Sequence, residues 1–181
     1  MKKEKSFLIE NIKTREDDLM NYFSKDRFEW NLEAAKITCV ELKRGISKGN
    51  EFDVYKTLSE SLLWICITDE WLFKNFSGYK ERKANEKVEN LFSSLRYAFN
   101  SMKHNKLIFK FTQTEGGFEL PCEFPIEIKP ITFKWNSFES DKNDYESQIK
   151  NYEKYLVGKD ILPTIELALD FLQNEYFVTR K

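Results

Sequence analysis

Glu89 to Asn105, ENLFSSLRYAFNSMKHN, holds the chain's only histidine and its sharpest two-faced helical pattern. Placed around a helix at about 100° per residue, Leu91, Phe92, Leu95, Ala98, Phe99 and Met102 fall within one arc about 120° wide, which predicts a core-facing stripe. Arg96, Asn100, Lys103 and His104 occupy a second arc about 100° wide, spaced so that their side chains can meet along one ridge. The ridge has two readings. It is a solvated polar face whose terminal lysine and histidine suit the helix dipole, or it brings a guanidinium, an amide, an ammonium and an imidazole together as a site. Residue types alone leave both open.

Working outward, the segment from about Asp53 to Phe76, DVYKTLSESLLWICITDEWLFKNF, reads as the longest helix. Tyr55, Leu58, Leu62, Ile65, Cys66, Phe73 and Phe76 are expected on one face, with Asp69 projecting from its middle. Burying an unpaired charge costs several kcal/mol, so Asp69 is expected either to shift its pKa or to find a cation or hydrogen-bond donor. One reading gives it a Trp indole or a backbone amide; the other pairs it with Arg96 or His104 on the facing helix. Ser77 to Val88, SGYKERKANEKV, reads as a polar connector between antiparallel neighbours. Upstream, an irregular helical pattern covers Ser6 to about Phe28, and Asn31 reads as the N-cap of a second helix whose apolar pattern continues through Ala35, Ile37, Val40 and Leu42 to a stop near Gly45 and Gly49.

Downstream of the histidine the apolar period changes from 3.6 to 2. Leu107, Phe109 and Phe111, then a Glu-Gly-Gly turn, then Phe118, Leu120 and Cys122 read as a β-hairpin, with Ile131 to Trp135 completing a small sheet. Two helices close the chain, about Asp144 to Leu156 and Ile161 to Phe177, with Asp160 as a cap and Pro163 in the first turn. The stripe Tyr145, Ile149, Tyr152 and Leu156 reads as core or interface. The expected fold is mostly α: a single domain over residues 1–181, an up-and-down bundle of about six helices with a β-hairpin or small antiparallel sheet inserted near residues 106–135.

Composition narrows the function classes. The 29 basic and 30 acidic residues nearly cancel, so a nucleic-acid partner needs a local patch rather than a global field. Sixteen Phe, eight Tyr and four Trp argue for a packed, aromatic-rich interior. Cys39, Cys66 and Cys122 are far apart in apolar surroundings, which predicts free buried thiols and a cytoplasmic, reducing setting. The N-terminal MKKEKSFLIEN has too short an apolar run for a signal peptide, and Leu62 to Ile67 is too short to cross a bilayer, so no membrane partner is expected. One histidine and scattered cysteines do not make a zinc site, and neither GxxxxGK[ST], GxGxxG nor GxSxG occurs. No metal and no cofactor is expected.

One chemistry suits the ridge. A neutral imidazole beside cations can take the proton of a ribose 2′-hydroxyl while Arg96 or Lys103 neutralises charge developing on the adjacent phosphate. That reaction needs no metal and spares DNA, which lacks the hydroxyl.

WICITDEW at Trp64 to Trp71, a polar connector, and SLRYAFNSMKHN at Ser94 to Asn105 resemble the bacterial branch of the HEPN superfamily, in which an acid-bearing aromatic helix precedes one reading approximately LRYARN-x3-H. The resemblance covers roughly Asp53 to Asn105. It implies a helical bundle that dimerises across this helix, and in many members a metal-independent ribonuclease of a toxin–antitoxin or phage-defence system. The family hallmark is an Arg, often followed by Asn, with four to six residues before the His. Asn100 and His104 match, but the Arg position falls on Phe99. By the resemblance, then, His104 is the catalytic base, Arg96 and Lys103 the phosphate contacts, Asn100 an orienting amide and Asp69 a supporting group. The implied partners are RNA, a second copy of the chain and an antitoxin protein. The alternative is a catalytically inactive HEPN-like dimeric interaction module, with Phe99 marking the loss.

Overall fold

Phe28, Leu32, Ala35, Cys39, Leu42 and Ile46 recur every three or four residues and are all buried, the repeat of a helix with one apolar stripe. In the computed structural model, which describes residues 27–85, 88–104, 131–140 and 144–180, they form the inner face of helix α1 (residues 27–48). Asn31 lies inside this helix and is buried, so it is not the cap the sequence suggested. Ile37 and Val40, expected in the apolar pattern, face outward at 53% and 60% exposure. Gly45 does not stop α1 either. It lets the next helix approach: a Cβ there would stand 3.2 Å from Val54 N. The stop is Gly49, at φ 63°, where Gly49 N–H bonds Ile46 O and Asn50 N–H bonds Gly45 O, the two reversed bonds of a Schellman end.

Helix α2 (Glu51–Asn75) starts at once, with the Asn50 side chain accepting from Asp53 N–H as its cap. Its buried face is Val54, Leu58, Leu62, Ile65, Cys66, Asp69 and Leu72. Tyr55 and Phe73, expected on that face, are exposed; the stripe lies one position to the side. Thr57, Ser61 and Thr68 are tolerated in this interior because each hydroxyl donates to the carbonyl four residues back.

The expected connector contains a short helix, α3 (Tyr79–Asn85). Then come α4 (Glu89–Lys103), α5 (Glu146–Tyr155) and α6 (Ile161–Thr179), close to their predicted spans. Helix α4 packs along α5 and α2 and touches α6, while α2 also packs on α6. Leu91, Phe92, Leu95 and Ala98 are buried, and Phe99 and Met102 are partly buried against the same core.

The predicted hairpin at residues 107–122 lies outside the described residues. Residues 131–135 are extended, but their pairing is with the α5–α6 turn. Lys134 forms an antiparallel bridge with Asp160, Trp135 N–H bonds Lys159 O, Gly158 N–H bonds Trp135 O and Ile161 N–H bonds Phe133 O. Trp135 also donates its indole N–H to Thr164 Oγ1 at 2.8 Å. Phe138 stacks on Tyr97 with centroids 5.6 Å apart and meets Tyr152 edge-on at 5.0 Å, which fixes α5 against α4. Of the predicted tyrosine stripe, Tyr152 and Leu156 are core and Tyr145 is exposed. Asp160 is the N-cap of α6 but makes no capping bond; position N3 is Pro163, which has no N–H to give. No helix among the described residues is long and apolar enough to cross a membrane.

Candidate functional site

The centre of charge in the helical body is Asp69, which is 3% exposed on the inner face of α2. Its Oδ1 accepts from the Tyr79 hydroxyl at 2.7 Å and from Lys83 Nζ at 2.5 Å. Its Oδ2 accepts from Arg96 Nη2 at 2.7 Å. Three helices thus meet at one carboxylate, and the charges do not cancel: two cations face one anion. Lys83 also sits over the face of Phe92, 4.5 Å from its centroid, where ring electrons favour the ammonium.

This environment fixes protonation states. Burial, the charge of Asp69 and the hydrogen bond to it all push the Tyr79 hydroxyl far up, so it remains a donor. Burial pushes the neighbouring Cys66 thiol up to about 12, against the opposing pull of Arg96. Burial works against the charge of Arg96, but the hydrogen bond and charge of Asp69 more than offset it and hold the guanidinium above its usual range.

A second ion pair secures α3 from its other side. Arg82 Nε donates to both carboxylate oxygens of Glu175, at 2.9 and 3.0 Å, and its Nη2 donates to Oε2 at 2.7 Å. Glu175 is buried on α6. Tyr79, Arg82 and Lys83 therefore clasp a seven-residue helix to α2 and α6.

No family model, no curated protein and no solved structure matches this chain. The site must be weighed on its own geometry.

The structure divides the expected ridge. Arg96 turns inward onto Asp69, one of the two partners its buried carboxylate was expected to find. Asn100, Lys103 and His104 are exposed at the C-terminal end of α4. His104 is the C-cap residue, its N–H bonding Asn100 O and Ser101 O, and it follows Arg96 by a rise of about 12 Å along the axis. Lys103 lies over the Phe99 ring at 5.3 Å. Arg96 keeps a side-chain exposure of 37% and uses one nitrogen on Asp69, so part of its fork still reaches solvent. Among the described residues no group of three or more His, Cys, Asp and Glu is placed to hold a metal ion.

Lys83 and Tyr79 were missed from the sequence. The available signal was local: in YKERKAN, Tyr79 is the one large apolar residue, and Lys83 follows it by one helical turn, on the same side.

Proposed function

We propose that this chain is a HEPN-like RNA-binding protein that cleaves RNA without a metal, acting as a homodimer in a bacterial toxin or phage-defence system. His104 removes the proton of a ribose 2′-hydroxyl. The 2′-oxygen attacks the adjacent phosphorus, a cyclic phosphate forms, and the 5′-oxygen leaves with a proton from water. Lys103 and the exposed edge of Arg96 attract the phosphate, and Asn100 orients it. What supports this reading is Arg96: a buried carboxylate holds its guanidinium on one edge, in a cluster with net positive charge, on the helix that presents Asn100, Lys103 and His104 to solvent.

One observation favours a second reading. Phe99, at the position where the resemblance calls for arginine, is packed against the core. In this reading the fold persists as a dimeric interaction module without catalysis, and an antitoxin or another copy covers the α4 end.

The test is incubation of purified protein with structured RNA in EDTA, together with a measurement of oligomeric state. A nuclease cleaves, and His104→Ala abolishes cleavage with little change in melting temperature because His104 is exposed. An intact dimer that neither cleaves nor binds RNA overturns the catalytic reading in favour of the module.

A further inference from the structure

At the opposite end of α4 from His104, about 20 Å along the helix axis, lies a half-open cavity of about 620 Å³. Its walls come from three parts of the chain: Val88 and Leu91 at the start of α4, Lys134 in the extended segment, and residues from Tyr155 to Leu167 around the α5–α6 turn. The size falls within the roughly 300–1,000 Å³ of ordinary small-molecule sites. The walls are also tied together before any ligand arrives. The Lys134–Asp160 bridge, the three backbone bonds around Trp135 and the Trp135–Thr164 bond lock the extended segment to the turn.

The lining has a consistent polarity. Val88, Leu91 and Leu167 give an apolar floor, and Lys134 and Lys159 supply ammonium groups with no ion-pair partner among the described residues. Lys159 lies 5.6 Å from the centroid of the Tyr155 ring. The Tyr155 oxygen accepts from Asn90 Nδ2 at 3.1 Å, which leaves its own proton to donate. Thr164 is already engaged, accepting from Trp135 and donating to Ile161 O. Asp160 brings one carboxylate to the same lining, so two cations and one anion leave a net positive charge.

We propose that this cavity binds a small amphipathic anion, with a carboxylate or phosphate headgroup on Lys134, Lys159 and the Tyr155 hydroxyl and an apolar body against Leu91 and Leu167. Two ammonium groups and a phenol donor suit an oxyanion, and the apolar floor takes up an aromatic or aliphatic body that water solvates poorly. The site is separate from the α4 end that carries His104, and it does not depend on RNA chemistry.

The probe is 8-anilinonaphthalene-1-sulfonate, an anion on an aromatic body, titrated into the full chain by fluorescence. Saturable binding of one probe per chain is expected. The double variant Lys134→Glu/Lys159→Glu should weaken it at least tenfold without lowering the melting temperature, and Lys80→Glu, outside the lining, should leave it unchanged. Phenylacetate and phenyl phosphate then compete for the probe: whichever displaces it at lower concentration names the headgroup, and benzyl alcohol should displace it poorly. Absence of saturable binding, equal binding by the double variant, or equal displacement by benzyl alcohol overturns the proposal.

Discussion

Arg96 Nη2 donates to Asp69 Oδ2 at 2.7 Å, joining the middle of α4 to the C-terminal third of α2 through a carboxylate that also holds Lys83 and Tyr79 from α3. The bond is unequal in its two halves. Asp69 is sealed, with a side-chain exposure of 4%, whereas Arg96 is more than a third exposed. Replacing Asp69 by Asn keeps the shape but leaves two cations facing each other with no anion, and breaking a buried pair in this way costs about 3–5 kcal/mol. For a chain of this size that lowers the melting temperature by about 10 °C. Arg96→Ala leaves Lys83 and Tyr79 on the carboxylate and should cost only about 1 kcal/mol. Thermal unfolding of both variants checks the order; an Asp69→Asn protein as stable as the parent would remove the carboxylate from its central role.

The Arg82–Glu175 pair yields a double-mutant test. Arg82→Ala strands a buried carboxylate and should cost about 3 kcal/mol. Arg82→Met with Glu175→Leu replaces the pair by apolar side chains and should recover most of that loss. Urea midpoints with an unchanged slope decide it. A double variant as unstable as the single one means that the pair itself, rather than the stranded charge, carries the stability.

Cys39 and Cys66 are held as thiols, raised from 9.0 to about 11 and about 12, in each case chiefly by burial. Folding therefore retains protons that the unfolded chain releases. Their contribution to stability is fully present below pH 9.0 and is lost as pH rises from there through about 11 and 12. In a Cys122→Ser chain, whose remaining thiols are these two, a disulfide reagent at pH 8 should label nothing until denaturant is added. Rapid labelling of the native protein would show that the core around α1 and α2 opens.

Gly49→Ala should cost about 1 kcal/mol, because a left-handed φ of 63° strains any Cβ. The new Cβ would also meet Ile131 Cδ1 at 3.3 Å. Gly158→Ala shares the strain at φ 77° but meets nothing within 4 Å, so it should cost less. Melting curves of the two variants compare them directly.

The long helices were legible because each carries enough turns for an apolar period to show, and Asp69 stood out as a carboxylate inside such a period. Phase was harder. In α1 the sequence offered Ile37 and Val40 beside Leu42, and only packing decides that Phe28, Leu32, Ala35 and Cys39 point inward. Tyr55 and Phe73 were misplaced on α2 for the same reason, since a helix rich in large apolar residues on several sides has no single best face. Helix α3 was invisible because seven residues are under two turns and its interactions are polar and long-range, ninety-three positions apart for Arg82 and Glu175. The inward turn of Arg96 was one of two open readings, and its choice over His104 depends on how α2 and α4 lie together.

The anchoring of residues 131–135 onto the α5–α6 turn has a consequence for how the polypeptide can be cut. Helices α1 to α4 run to Lys103, and residues 131–135 belong with α5 and α6. The two pieces divide one interior between them: Tyr97 and Phe92 on the first side, Trp135, Tyr152 and Phe171 on the second. Two chains, one carrying α1 to α4 and the other carrying that segment with α5 and α6, should therefore associate through the shared interior, so that reassembly itself becomes a reporter of its formation.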